Sequence, residues 1–160
     1  MQYAIMQFNK MRNATKFLEN HHSGKSYHIF KPQKSYRAEI ESRIKKVGCK
    51  VRRDSIKLID TLVTATPEFF IERSTKDTKH FFELATEFLT SEVGQQNIFS
   101  AVVHLGERVP HLHFCFVPIT NDRRLSAKEI IGNRQKLVEW QDKFYKQLSA
   151  FYPELERKKS

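Results

Sequence analysis

Ten residues of this chain, His104-Leu105-Gly106-Glu107-Arg108-Val109-Pro110-His111-Leu112-His113, hold three of its seven histidines and one carboxylate. Apolar runs at 98–105 and 112–119 flank them, and each reads as a buried strand. Successive strand side chains point to opposite faces. In the second run Leu112, Phe114 and Phe116 therefore share a core face, while His111 and His113 share the other. In the first, Phe99, Ala101, Val103 and Leu105 make the apolar face and His104 projects from the opposite side. If the two runs pair as antiparallel neighbours through the turn at 106–110, all three imidazoles converge on one surface. Three neutral imidazoles on a divalent ion leave positions open for water or substrate. Glu107, in the turn, is placed to orient a ligand or a bound water. The competing reading is of ordinary strand histidines facing solvent. The spacing itself names no metal, since zinc, manganese, iron, nickel and copper all accept imidazole.

The rest of the chain supplies the elements that must position these groups. Residues 3–9 read as a first strand with Ala4, Met6 and Phe8 on one face, followed by a short helix at 14–19 capped by Asn13. The polar, glycine-containing stretch 20–28 has no period and reads as a loop or arm. A helix at 35–47 carries Tyr36, Ile40 and Ile44 on one side and ends at Gly48. A basic connection at 50–54 leads to a strand at 56–64, then to a helix start at Thr66-Pro67-Glu68 whose Phe69, Phe70 and Ile71 form an apolar plug. Residues 78–92 carry Phe81, Phe82, Leu84, Ala85, Phe88 and Leu89 at helical spacing and end near Gly94. Ser126-x-x-Glu129 is a capping box for a helix that Gly132 interrupts. A last helix reaches about Tyr152 with Leu137, Trp140, Phe144, Leu148 and Phe151 as its core stripe. The expected fold is α+β: a central antiparallel β-sheet with helices packed on one side and the histidines on the open face.

At 160 residues, 39% of them hydrophobic and thirteen of them Phe, the chain is expected to be one domain with a proper core. No apolar run approaches the length of a membrane span, and no signal peptide is evident. Cys49 and Cys115 lie in unrelated contexts, which argues against a disulfide framework and suggests a reducing cytoplasm. The net charge of +10 is unevenly spread. Residues 1–57 hold fourteen Lys/Arg against four Asp/Glu, and the remainder holds fourteen against fourteen. Such asymmetry is the electrostatic footprint of a polyanionic partner, most often nucleic acid.

Taken with these features, several linked motifs make the sequence resemble the MobV (Pre/Mob) plasmid mobilisation relaxases over nearly its whole length. They are Tyr3-Ala4 with Lys10-Met11, Val51-Arg52-Arg53-Asp54-Ser55, Leu62 through Phe70, Asn97 through Pro118, Arg124-Leu125-Ser126-Ala127-Lys128 and Leu155-Glu156-Arg157. The family's H-x-D-E-x-x-P-H-x-H stands here as His104 through His113, with Gly106 in place of the Asp. Its nucleophile motif H-N-x-R is altered to His22-Ser23-Gly24-Lys25, where Lys25 keeps the charge but loses the bidentate phosphate fork.

The resemblance implies a His-hydrophobe-His endonuclease fold and a metal-dependent relaxase that nicks one DNA strand at an origin of transfer and stays attached to the new 5′ end. His104, His111 and His113 would hold Mn2+ or Mg2+, with Zn2+ an alternative. His22 would be the nucleophile, with His21 close behind it and Tyr27 a rival. Lys10, Arg12, Lys25, Lys31, Lys34, Arg37, Arg43, Lys46, Lys50, Arg52 and Arg53 would grip the phosphates of single-stranded or hairpin DNA, and Tyr27, Phe30 or Tyr36 would stack on bases. Asp54 and Asp60 are read as helpers of the metal site or as structural carboxylates. Residues 1–160 would be one nicking domain, the N-terminal part of a longer protein that dimerises elsewhere and touches no membrane through this domain. Competing readings are a tyrosine nickase of the replication-initiator or transposase type, a DNA-binding module with a degenerate site, and a small metabolite-processing metalloenzyme.

Overall fold

The structure, a computed structural model, describes residues 1–20, 25–106 and 108–157, with Phe17 and Asn20 described by their backbone alone. Its elements are β1 (Gln2–Met11), α1 (Lys16–Asn20), β2 (Ser26–Phe30), α2 (Tyr36–Val47), β3 (Leu58–Ala65), α3 (Pro67–Ile71), α4 (Thr75–Val93), β4 (Ile98–His104), β5 (His111–Phe116), α5 (Ala127–Ile131), α6 (Arg134–Ser149) and β6 (Leu155–Glu156). The six strands form one sheet in the order β2-β4-β5-β3-β1-β6. Every neighbouring pair is antiparallel except β1 and β6.

One face of the sheet carries the main core. Met6, Ile59, Val63, Ala101, Val103, Leu112, Phe114 and Phe116 pack against Phe81, Ala85, Phe88 and Leu89 of α4 and Trp140, Phe144 and Leu148 of α6. The opposite face carries the histidines and, among the described residues, is open except where α2 lies across it, burying Tyr36, Ile40 and Ile44 on Leu58, Phe99, Cys115 and Val117 with Leu18 of α1 and Leu125 packed alongside. The α+β sheet with an open histidine face is thus as expected, with α2 as one helix on the second side.

Local chemistry sets most boundaries. Ser35 and Gly48 cap α2, the Ser35 hydroxyl accepting from the Ala38 N–H at 3.2 Å and Gly48 adopting the left-handed φ of 80°. Ser126 accepts from Glu129 N–H, as the capping box requires, and Asn133 opens α6 in the same way. Helix α4 starts a turn earlier than expected because Ser74 accepts from the Asp77 N–H.

Four expectations are corrected. Residues 26–30 are a strand, not part of a loop, and pair along β4 from Ser26 opposite His104. Ser26 and His28 do alternate with Tyr27 and Ile29, but over too few residues to stand out from the polar stretch before them, and pairing with β4 completes the strand. Helix α1 is capped by Thr15, whose hydroxyl accepts from Leu18 N–H, rather than by Asn13. Ile71 is 74% exposed and only Phe69 of the plug is deeply buried. The last helix ends at Ser149, so Phe151 is 56% exposed while Tyr152 turns inward and its hydroxyl donates to the Asp77 backbone carbonyl at 3.1 Å.

Candidate metal centre and nucleic-acid interface

Register places His104 on β4 directly opposite His111 on β5, with Val102 opposite His113. The alternation therefore delivers all three rings to one face. Their centroids lie 4.9–5.1 Å apart. One nitrogen from each lies within 4.8 Å of the others, as a shared cation requires. Between β4 and β5 the alternation breaks further back along β4. A bulge between Ile98 and Ser100 throws Phe99 onto the histidine side, where its ring meets Tyr36 edge-on at 5.1 Å. Phe99 is thus not on the Ala101 and Val103 face.

The rings are oriented from behind. His113 Nδ1 lies 3.1 and 3.0 Å from the two carboxylate oxygens of Asp60, and His111 Nδ1 lies 3.1 Å from the Val109 carbonyl. A carboxylate or carbonyl only accepts, so each Nδ1 is the donor, and Nε2 is the atom that each ring would offer to a cation. Asp60 reaches His113 because β3 runs beside β5 with Leu62 opposite that histidine. The Cys115 thiol donates to the same carboxylate at 3.6 Å. Burial pushes that thiol well above its ordinary range and the carboxylate adds to the effect, so it stays protonated. Asp60 is the group left open between two roles by sequence. The signal that could have decided it was a carboxylate inside an apolar strand, Leu58-Ile59-Asp60-Thr61-Leu62.

The turn between the histidine strands is moored at both ends. Leu105 N–H and Gly106 N–H donate to the Lys25 carbonyl at 2.7 and 3.1 Å, and the Thr64 hydroxyl donates to the Pro110 carbonyl at 2.7 Å. Lys25 and Ser26 are thereby fastened beside His104. Glu107, His21 and His22 lie outside the described residues.

Of the remaining candidates, Tyr27 pairs with Val103 and packs with the main core. Its hydroxyl is buried on the sheet face opposite the histidines, beneath Lys79 of α4 at 5.1 Å from the ring centroid. That placement puts the phenol on the other side of the sheet from the three imidazoles. Tyr36, offered as a base-stacking ring, is 2% exposed and hydrogen-bonds Ser100 at 2.9 Å. Phe30 packs against the main core. Asp54 is exposed in the connection before β3. Lys10, Arg12, Lys25, Lys31, Lys34, Arg37, Lys46, Lys50, Arg52 and Arg53 are all exposed, the last five on α2 or the connection after it. Arg37 also pairs with Glu41 at 3.1 Å. Arg43 differs from them. Its guanidinium donates to the Glu39 carboxylate and carbonyl and to the carbonyls of Gln96 and Ile98, at 2.7–3.2 Å, so it ties α2 to the start of β4 and has no fork left for a phosphate.

The family model described as Mob_Pre, plasmid recombination enzyme, matches residues 6–159. The chain belongs to this family. Among Mob_Pre relatives it is 47% identical over 111 residues to a plasmid recombination enzyme type 3 of Mammaliicoccus lentus, covering 69% of this chain and 27% of that protein. It is 46% identical over 108 residues to a plasmid recombination enzyme type 1 of Staphylococcus aureus, covering 68% and 27%. The chain thus spans about a quarter of the length of these curated relatives. Among solved structures, the MobM relaxase domain (MOBV; Mob_Pre) bound to a 26-nucleotide pMV158 oriT DNA superposes with a TM-score of 0.86 at 27% identity, covering 98% of this chain and 91% of that one. A Mn-bound crystal structure of the same domain with a 22-nucleotide oriT DNA carrying a 3′ thiophosphate gives 0.87 at 27% identity, over 98% and 90%. No helix among the described residues is long and apolar enough to cross a membrane.

Proposed function

We propose that residues 1–160 act as a single relaxase domain, which nicks one strand of plasmid or mobile-element DNA at an origin of transfer and remains joined to the cut 5′ end through His22. The observation that carries this reading is the set of three imidazoles on one face, each offering one ligand atom within 4.8 Å of the others and two of them anchored through Nδ1, beside an exposed basic helix. His104, His111 and His113 would hold a divalent ion, Mn2+ or Mg2+, and Zn2+ also suits the donor set. When bound, that ion supplies Lewis-acid stabilisation of charge on a phosphoryl oxygen. The Mn-bound MobM domain on oriT DNA supports both the metal and the substrate.

The residues of the chain supply the covalent chemistry. His22 stands three residues before Lys25, whose carbonyl is fastened to the turn after His104. Its imidazole nitrogen attacks the scissile phosphorus in line, forming a P–N bond as the P–O3′ bond breaks. The departing oxygen leaves as a 3′ hydroxyl with a proton, and the imidazole loses its own. The phosphoramidate keeps the cut end attached and lets the strand be rejoined. Lys25 faces phosphate as a point charge where the family motif has Arg. Exposed Lys and Arg along α2 and its flanking connections track the strand backbone.

The test is incubation with Mn2+ and a labelled single-stranded oligonucleotide carrying the pMV158 oriT, followed by a denaturing gel and mapping of the modified residue. A slow-migrating adduct on His22, lost in His22→Ala and kept in His21→Ala, is expected. Tight binding without any nick or adduct would leave a DNA-binding module with a degenerate site, a reading that Gly106 and Lys25 favour. An adduct on a tyrosine would overturn the histidine route.

A further inference from the structure

We infer that the cleft between the outer edge of β1 and the α5–α6 junction is a pocket for one unstacked nucleobase of the single strand, read by the amides of Gln7 and Asn9. The inference rests on the relaxase reading above. The cleft encloses about 520 Å³, within the range of about 300–1,000 Å³ usual for ligand sites. It opens directly beside Asp60 and His113, while Ile131, Leu137 and Gln141 wall its far side.

The pocket exists because β6 covers only Gln2 and Tyr3 of β1, so among the described residues no strand lies along the outer side of β1 beyond Tyr3. Strand alternation then decides which backbone groups face it. The carbonyls of Tyr3 and Met11 accept from Thr66 and Lys57 on the β3 side. Even-numbered residues must therefore point outward, and Met6 does so, its carbonyl accepting from Gln141 Nε2 at 2.8 Å. The N–H and C=O of Phe8 turn the same way, into the cleft. On the adjoining floor the exposed amides of Gln7 and Asn9 make no side-chain hydrogen bond to any described residue.

An apolar wall, an unpaired sheet edge, two uncommitted amides and Lys10 at the mouth suit a flat ring with apolar faces, a donor-acceptor rim and an attached phosphate. Each carboxamide offers a donor and an acceptor side by side, the pairing that matches adenine best. Single-stranded sites commonly splay one base out in this way. A base lodged here would hold the neighbouring phosphate at the histidines.

A randomised single-stranded DNA pool, selected on the whole chain with Mn2+, supplies the best-bound oligonucleotide, and each of its nucleotides is then replaced in turn by an abasic one. One position next to the nick is expected to lose roughly tenfold in affinity. Asn9→Leu should erase the base preference at that position alone. Leu137→Trp, which fills the cleft, should bind the oligonucleotide abasic at that position at least as well as the intact one, which also shows that the variant is folded. Variants that still bind DNA with the parent preference at every position overturn the pocket and leave the relaxase reading intact. A parent that nicks but has no abasic-sensitive position does the same. A parent that binds no single-stranded DNA overturns both.

Discussion

Asp60 and His113 meet across neighbouring strands, both carboxylate oxygens lying 3.0–3.1 Å from Nδ1 of the ring. Asp60 is buried, and its register partner on β5 is Cys115 rather than His113, so the contact is a diagonal one. It fixes both the rotation and the tautomer of the ring. Asp60→Ala is expected to weaken Mn2+ binding by about 10–100-fold. Asp60→Asn keeps an acceptor oxygen and should lose less. Titration calorimetry checks the order, and equal affinity in all three proteins would remove Asp60 from the site.

Binding to the folded state alone stabilises it by mass action. At Mn2+ a hundredfold above its Kd, the gain is about 2.7 kcal/mol. In a chain of this size that is a rise in Tm of roughly 5–10 °C. A chelator should reverse it. In His113→Ala the metal-dependent rise should vanish, because two imidazoles no longer enclose an ion. Thermal melts with and without Mn2+ read this directly, and an undiminished rise in the variant would place the ion elsewhere.

What the sequence revealed and what it hid follow from where each structural choice is made. Period-two alternation put His104, His111 and His113 on one face because each strand is buried on its other side, and a one-residue slip would have exposed the core. Caps at Gly48 and Ser126 were legible because they depend on residues a few positions away. The strand at 26–30 was not, since pairing with β4 makes it. The bulge that moves Phe99 was equally hidden, because it depends on the register against Cys115. Arg43 looked like any other cation of a basic helix until the carbonyls of Gln96 and Ile98 came within its reach.

Arg43 and its basic neighbours should therefore behave oppositely. Burial would push the Glu39 carboxyl up, but the Gln33 N–H and the Arg43 guanidinium overcome it and hold the carboxyl below its ordinary range. Arg43→Ala removes that partner and is expected to cost about 2 kcal/mol of stability. It should leave the salt dependence of DNA binding unchanged. Lys46→Ala or Arg53→Ala should do the reverse, sparing stability and reducing the slope of log K against log salt by about 0.7 for each single-strand phosphate that is no longer neutralised. Urea unfolding and fluorescence anisotropy at several salt concentrations separate the two behaviours.

Tyr27 offers the sharpest contrast with the histidine face. Burial, with a smaller contribution from Glu83, raises its phenol to about 12, and burial also raises Tyr36 and Tyr152. A folded-state value above the unfolded one, about 10, means that the stabilisation is complete below the unfolded value and is lost as pH rises through the folded one. Urea unfolding should accordingly show stability falling between about pH 10 and pH 12. Tyr27→Phe removes one of the three contributors and should make that fall shallower. Its hydroxyl is buried without a hydrogen-bond partner among the described residues, so its loss leaves no group stranded and neutral-pH stability should hold or rise slightly. Because Tyr27 lies on the α4 side of the sheet, the variant should form the protein-DNA adduct in the same yield as the parent. A loss of adduct in a variant of unchanged stability would bring Tyr27 back into the chemistry.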